Sequence, residues 1–415
     1  MRFDLRHVIY ALSDALDLVG VDDLAHGKRV AIMAAECGKS MGLAAAETTF
    51  LFDLGMLHDI GVSSTQTHRH LVGEFDWESS QLHAEAGYEL LRGYPPLEAM
   101  AVPVRYHHTH WDRLKTLGAD ALTPRQAEQA NLIYLVDRVD ALAAPYYGGD
   151  QLFEHVESIR NQIRGHAGGC FSPDLVEVFL AASAAEAYWL LLEPRSIQGY
   201  LMDMLAHGSS HQASFGELKQ LAAVFSRIVD AKSPFTAEHS LGVARLARFL
   251  AERMGLDGER CDKLEIAGLL HDLGKLRVPD EILDKPGRLD RHERQIINTH
   301  SFETYQILRN IDGFEEIALW AAYHHEDVGG TGYPFHIRGD QLPLEARILR
   351  VADIFQAMAQ NRPYRGGLMA AEVMAFLTAL VRDRHLDGDI VAVAAAHLPE
   401  AMAAALAEPA LPAGA

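Results

Sequence analysis

GMLHDIG at residues 55–61 and GLLHDLG at residues 268–274 decide how this 415-residue chain is built. Each closes an apolar helical run on a histidine–aspartate pair, and the two stand 213 residues apart. The correspondence extends outward from there. His26 and His58 are followed at 213 residues by His239 and His271. His83 and the pair His107–His108 are followed at 217 by His300 and His324–His325, and Asp137 at 216 by Asp353. The step from 213 to 217 means that four residues were gained or lost after the HD pair. Flanking text agrees: HAEAGYELLR (83–92) parallels HSFETYQILR (300–309), VDRVDAL (136–142) parallels ADIFQAM (352–358), and SPDLVEVF (172–179) resembles DGDIVAVA (387–394). Seven ligand-type residues repeated in one order over so long a period read as a duplicated domain.

The segments between these markers are helical by pattern. ELKQLAAVFSRIVDA (217–231), VARLARFLAERMG (243–255), RILRVADIFQAMAQ (347–360) and EVMAFLTALVRD (372–383) place apolar residues at threes and fours. Pro and Gly punctuate between them, and no segment shows sustained strand alternation. The fold class predicted is all-α, two helical-bundle domains in tandem. Their expected bounds are residues 1–195 and 215–415, with a connector over 196–214.

Bulk properties set limits on function. Apolar residues at 49% and charged residues at 23% are ordinary for a globular protein. A formal charge of −20 argues against a large nucleic-acid surface, which needs a basic stripe. Cys37, Cys170 and Cys261 lie far apart without a CxxC pair, which suits a reducing cytoplasm and no disulfide framework. The opening MRFDLRHVIYALSDALD carries acids early and lacks the apolar core of a signal peptide. LVEVFLAASAAEAYWLLL (175–192) is interrupted by Glu177 and Glu186, so a packed amphipathic helix is expected there and no membrane span.

The repeated residues carry the chemistry. His271 and Asp272 could cap a helix, with Gly274 supplying its stop. Asp353 sits among apolar neighbours in ARILRVADIFQAM, where a carboxylate is costly unless it is paired, to Arg350 for example, or bound to metal. HHEDVGGTGYP (324–334) sets two adjacent imidazoles beside acids and then turns through glycines. Five histidines and two aspartates in repeated order suit transition-metal ligation better than capping or a surface role. Seven donors exceed the needs of one ion, and a pair of ions bridged by an aspartate accounts for the count.

The C-terminal half resembles the HD-GYP family, bacterial phosphodiesterases of cyclic dinucleotides within the wider HD superfamily. The resemblance runs from DAKSPFTAEHS (230–240) through LLHDLGKLRVPDEILDKPG (269–287) and HHEDVGGTGYP to ILRVADIFQAMAQNRPYR (348–365), covering about residues 215–400. The N-terminal half is similar to a divergent HD domain that keeps the ligand series and lacks the GYP segment. Both domains are then HD-type bundles.

The resemblance implies that His239, His271, Asp272 and Asp353 hold one metal, and that Asp272 bridges to a second held by His300, His324 and His325. Some family members carry a glutamate where this chain has Phe235 and bind three ions, so two are expected here. Iron is the metal expected, with manganese or nickel also used in the family. Such a pair acidifies a water and neutralises a nonbridging phosphate oxygen during in-line attack. Lys275 would add a positive charge at the phosphate, although a lysine at a helix C-terminus is also favoured by the macrodipole. Arg362 and Arg365 in RPYR would grip phosphate and base. Tyr333 would line the base pocket, and Gly332 would let the backbone approach the substrate. Gly329-Gly330 replaces the family's usual Asp-Gly, which predicts a looser loop.

The expected activity is therefore metal-dependent hydrolysis of c-di-GMP or 3′,3′-cyclic GMP-AMP. The alternatives are an HD-type mononucleotide phosphohydrolase and a noncatalytic dinucleotide receptor. The partners expected are the dinucleotide and a second copy in a homodimer, with no large nucleic acid and no membrane. In the N-terminal half Val62 stands at the position of Lys275, and APYYGG (144–149) offers no match to the RPYR arginines. His26, His58, Asp59, His83, His107, His108 and Asp137 could still hold metal, as a structural or regulatory site or as an enzyme for another nucleotide.

Overall fold

The computed structural model describes residues 3–20, 25–75, 78–118, 120–147, 151–207, 212–232, 239–361 and 366–406. These are helical almost throughout, as the periodicity predicts; the single ladder pairs β1 (Phe3–Asp4) with β2 (Gln212–Ala213). The chain divides into two compact units. One runs from Leu16 to His211, and the other joins the chain through Ala15 to the chain from Gln212 onward.

After α1 (Leu5–Asp17), the first unit contains α2 (His26–Ser40), α3 (Ala45–Leu57), α4 (Gln81–Leu91), α5 (Glu98–Tyr106) and α6 (Pro124–Ala143). The second contains α7 (Phe215–Ala231), α8 (His239–Arg253), α9 (Gly258–Leu270), α10 (His300–Leu308), α11 (Glu315–Ala322), α12 (Leu344–Ala359) and α13 (Ala370–Arg382). The helices α2 to α6 recur in order as α8 to α12. Local signals start several of them: Thr123 with Gln126, and Ser214 with Glu217, form capping boxes, and Asp257 accepts the Arg260 amide at 2.9 Å.

One packing device is duplicated with the sequence. A Cβ on Gly55 would sit 2.6 Å from Ala31 Cα, and one on Gly268 would sit 2.8 Å from Ala244 Cα. The first glycine of each G-x-x-H-D-x-G stretch lets the HD helix seat directly on the helix that begins with the first histidine. The second glycine departs from expectation. Gly274 is no left-handed helix stop; it lies in a 3₁₀ turn over Leu273–Arg277, and a Cβ there would strike the His300 carbonyl at 2.1 Å. Gly61 meets the His83 carbonyl at 2.0 Å in the same way. Both glycines bring the HD turn against the helix that carries the third histidine.

Three boundaries differ from the sequence reading. The described residues through Ala15 belong to the second unit and not to an N-terminal domain over 1–195: Phe3 packs edge-on to Phe215 at 5.4 Å and against Phe314 at 5.6 Å. The connector expected at 196–214 is helical through His207 and reaches β2 at Gln212. Residues 175–192 form two helices, Pro173–Ala182 and Glu186–Leu190. Side chains hold that break, since Trp189 donates to the Ser183 carbonyl and Arg160 to the Leu180 carbonyl and Ser183 hydroxyl. No single helix among the described residues is long and apolar enough to cross a membrane.

Candidate metal centres

In the second unit His239 opens α8, His271 and Asp272 follow α9, His300 opens α10, His324 and His325 follow α11, and Asp353 lies in α12. The fold gathers all seven into three overlapping groups: His239 with His271 and Asp353, His271 with Asp272 and His324, and His300 with His324 and His325. Within each group the donor atoms lie within 4.8 Å of one another. Asp272 stands between two sets of imidazoles. Its Oδ2 is 3.3 Å from His271 Nε2 and 3.9 Å from His239 Nε2, while its Oδ1 is 3.4 Å from His300 and 3.8 Å from His324. Asp353 Oδ1 completes the first set, 3.2 Å from His239 Nε2. Arg350 does not pair with it through a hydrogen bond and instead donates to the His385 and His324 carbonyls.

Backbone geometry sets the tautomers. Nδ1 of His271, His300 and His324 lies 2.7, 2.6 and 2.6 Å from the carbonyls of Gly268, Ile297 and Ala321. A carbonyl only accepts, so each Nδ1 carries the proton and each Nε2 presents a lone pair inward. His300 and His324 then face each other Nε2 to Nε2 at 3.2 Å. His271 Nε2 and Asp272 Oδ1 are buried and make no hydrogen bond. The nitrogen–oxygen donor set of this array, with buried donors left unpaired by the protein, fits divalent transition metals.

The electrostatics agree. Burial pushes His300 down to about 4 and His324 and His325 well below the usual imidazole range, so all three are neutral and free to ligate. Burial opposes ionisation of Asp272 and Asp353, but His271 and Lys275 hold the first, and His239 the second, below the usual carboxylate range. Lys275 is at the centre: its Nζ lies 2.5 Å from Asp272 Oδ2.

The 324–334 loop is clasped by its own acids, against the expectation of looseness from Gly329-Gly330. Buried Glu326 accepts the amides of Phe335, His336 and Ile337 at 2.7, 3.1 and 3.0 Å. Asp327 accepts the Thr331 amide and hydroxyl and lies 3.1 Å from His385 Nδ1. Tyr333 stacks on His325 with ring centroids 4.8 Å apart. Gly332 is buried, and a Cβ there would lie 2.4 Å from Glu326 Cα and 2.5 Å from the His325 carbonyl, so the loop itself requires a glycine at this position. Arg362, Arg365 and Phe235 lie outside the described residues.

The first unit gathers its own seven in the same arrangement. Asp59 Oδ2 faces His26 at 3.8 Å and His58 at 3.5 Å, and its Oδ1 faces His83 at 3.2 Å and His107 at 3.6 Å. His108 joins Asp59, His83 and His107 in a four-residue group, and Asp137 Oδ1 lies 3.4 Å from His26 Nε2. At the position of Lys275 stands Val62, which is buried.

The layer behind the ligands was missed by sequence reasoning. Gln356 Oε1 accepts from His239 Nδ1 at 2.6 Å, and Asp140 holds His26 Nδ1 at 2.8 Å. Although burial works against it, Asp140 carries His26 up to about 9. Both residues sit three positions after the helical aspartate, at the same 216-residue offset, so the repeat itself held the signal. Glu326, Asp327 and His385 carried none, because their partners are backbone amides and a distant loop.

HD domain family models match residues 24–144 and 223–390. The chain is 36% identical over 392 residues to the 3′3′-cGAMP-specific phosphodiesterase 1 of Vibrio cholerae, covering 93% of this chain and 90% of that one. It is 35% identical to the cyclic di-GMP phosphodiesterase response regulator RpfG of Xanthomonas campestris, over 37% of this chain and 41% of that one. A crystal structure of a cyclic GMP-AMP-specific phosphodiesterase from V. cholerae shares the fold, with TM-score 0.65 and 24% identity over 96% of this chain and 98% of that one.

Proposed function

The chain belongs to the HD-GYP family of HD-domain phosphodiesterases, and on that premise we propose that its C-terminal half hydrolyses 3′,3′-cyclic GMP-AMP. The observation that carries the reading is Asp272, whose two oxygens face two different sets of imidazoles. His239, His271, Asp272 and Asp353 would hold one ion, and Asp272, His300, His324 and His325 a second, with iron, manganese or nickel suited to the donors. When bound, such a pair supplies Lewis acidity and a water acidic enough to attack a phosphodiester at neutral pH.

The remaining work falls to the chain. The carbonyl-fixed tautomers keep the Nε2 lone pairs aimed inward without reorganisation. Lys275, drawn to Asp272, keeps an ammonium at the place where phosphate charge must be met. Tyr333, stacked on His325, gives the loop a flat aromatic surface beside the ligands, suited to a purine. Coverage supports the choice of substrate: likeness to the cyclic GMP-AMP enzyme spans nearly the whole chain, whereas likeness to the cyclic di-GMP regulator spans about a third of it.

Turnover of the two cyclic dinucleotides by the full chain tests this. The expected preference for 3′,3′-cyclic GMP-AMP in kcat/KM is roughly tenfold or more. Asp272→Asn is expected to lose metal and hydrolysis together. Lys275→Ala is expected to keep metal while losing roughly a hundredfold to a thousandfold in kcat. Binding without turnover by the metal-loaded protein, or full hydrolysis without Asp272, would overturn the proposal.

A further inference from the structure

We propose that the cavity walled by Arg338, Arg347 and Arg384, beside the 324–334 loop, is a binding site for a dianionic phosphate, free or carried by a mononucleotide. The site is separate from the metal centres, and the inference does not rest on the reaction proposed for them.

The cavity has a volume of about 700 Å³, and no candidate metal ligand lines it. Its arginines come from three segments: Arg338 follows the loop, Arg347 lies in the first turn of α12, and Arg384 follows α13. The Arg338 and Arg384 side chains are exposed and, among the described residues, form no hydrogen bond or ion pair. Arg347 gives one terminal nitrogen to Asp387 at 2.5 Å, while its Nε is buried and makes no hydrogen bond. Asp387 is committed twice, since it also accepts the Asp389 amide at 2.9 Å. Two free guanidinium groups and an orphan Nε are thus set against Asp340, the one uncommitted carboxylate of the wall. In a chain of formal charge −20, such a local excess of positive charge calls for an anion. Guanidinium forks match phosphate oxygens two by two, and a pair of them meets the double charge of a phosphate monoester. The volume falls within the roughly 300–1,000 Å³ of small-molecule sites, which leaves room for a nucleoside beside the phosphate.

The backbone under Arg384 points the same way. Its φ of 62° lies in the left-handed region, in the turn that ends α13. There the Arg384 amide donates to the Val381 carbonyl at 3.0 Å and the His385 amide to the Leu380 carbonyl at 2.8 Å. Glycine takes such a position without strain, so an arginine holds it against local preference, and use of its side chain accounts for that. The same segments brace the loop. A Cβ on Gly329 would lie 3.0 Å from the Arg384 carbonyl, and one on Gly330 would lie 3.7 Å from Arg338 Cα. A Cβ on Gly339 would strike the Val328 carbonyl at 2.4 Å. A phosphate held between Arg338 and Arg384 therefore ties together the two segments that flank the loop glycines.

Isothermal titration calorimetry of the full-length, metal-loaded protein with 5′-AMP and with inorganic phosphate tests the site. Repeating the titrations with Asp272→Asn separates it from phosphate held at the C-terminal metal pair. Binding is expected to persist in Asp272→Asn and to weaken by roughly tenfold or more in Arg384→Gly and in Arg338→Gln. Arg384→Gly removes the guanidinium and relieves the backbone, and Arg338→Gln serves if it does not fold. Bound probe should also slow hydrogen exchange at the amides of residues 328–339 in the wild type and not in Arg384→Gly. Tighter binding of 5′-AMP than of phosphate assigns the site to a mononucleotide, and equal affinity assigns it to free phosphate. Binding that is lost in Asp272→Asn yet kept in both arginine variants belongs to the metal pair and overturns the proposal. Absence of binding by either probe, or affinity indifferent to both arginine substitutions, overturns it as well.

Discussion

Asp272 and Asp59 each do what an imidazole turned by one backbone hydrogen bond cannot, which is to present two donors in two directions. That geometry suits a ligand shared between two ions better than a helix cap. The same helical turn supplies its support. Gln356 faces His239 in one half and Asp140 faces His26 in the other, so a neutral amide and a carboxylate orient equivalent histidines. Replacing Gln356 with Leu leaves the His239 Nδ1 proton buried without an acceptor, at a cost of about 1–3 kcal/mol. Metal affinity of the C-terminal centre is expected to fall roughly tenfold to a hundredfold. Gln356→Glu, which keeps an acceptor, should retain most of it. Chelator-buffered metal titration measures both, and unchanged affinity in the Leu variant would remove Gln356 from the centre.

At the scale of elements, the loop after α11 is set by what its acids hold. Three consecutive amides converge on Glu326, and Asp327 ties Thr331 to His385 beyond α13. Half-buried Arg350 reaches the carbonyls of both His385 and His324, so the loop and a candidate metal ligand share one anchor. Glu326→Gln would set an amide group with N–H donors of its own against three donors. The expected result is a roughly tenfold rise in KM for the cyclic dinucleotide, equivalent to about 1.4 kcal/mol, with metal content preserved. Steady-state kinetics beside metal analysis decides it. A fall in kcat with metal loss would mean that Glu326 supports the ligands and not the loop.

At the scale of the whole molecule, the chain does not divide at a single point. The described residues through Ala15 complete the unit that bears the C-terminal centre, and Phe3 is buried there between Phe215 and Phe314. Phe3→Ala in the full chain is expected to cost about 3–5 kcal/mol. The loss should appear in the unfolding of the C-terminal unit, followed through its metal-dependent hydrolysis on heating. Hydrolysis as heat-resistant as the wild type would place the N-terminal segment elsewhere. A fragment cut near residue 206 lacks this segment and should be less stable than the same unit within the full chain.

The sequence by itself determined the duplication, the all-helical class and the fourteen candidate ligands, because identity, order and helical period are properties of the chain read along one dimension. It also exposed the Lys275/Val62 contrast, since equivalent positions could be aligned within one chain. It could not assign Gly274 to the His300 carbonyl, the Glu326 carboxylate to amides nine to eleven residues on, or Phe3 to a unit more than two hundred residues away. Those are contacts between segments, fixed only when burial forces each polar group to find a partner and each close approach to exclude a side chain. The charged layer behind the N-terminal ligands is of the same kind: Arg29 and Asp140 are separated by 111 residues, and only packing makes them a pair.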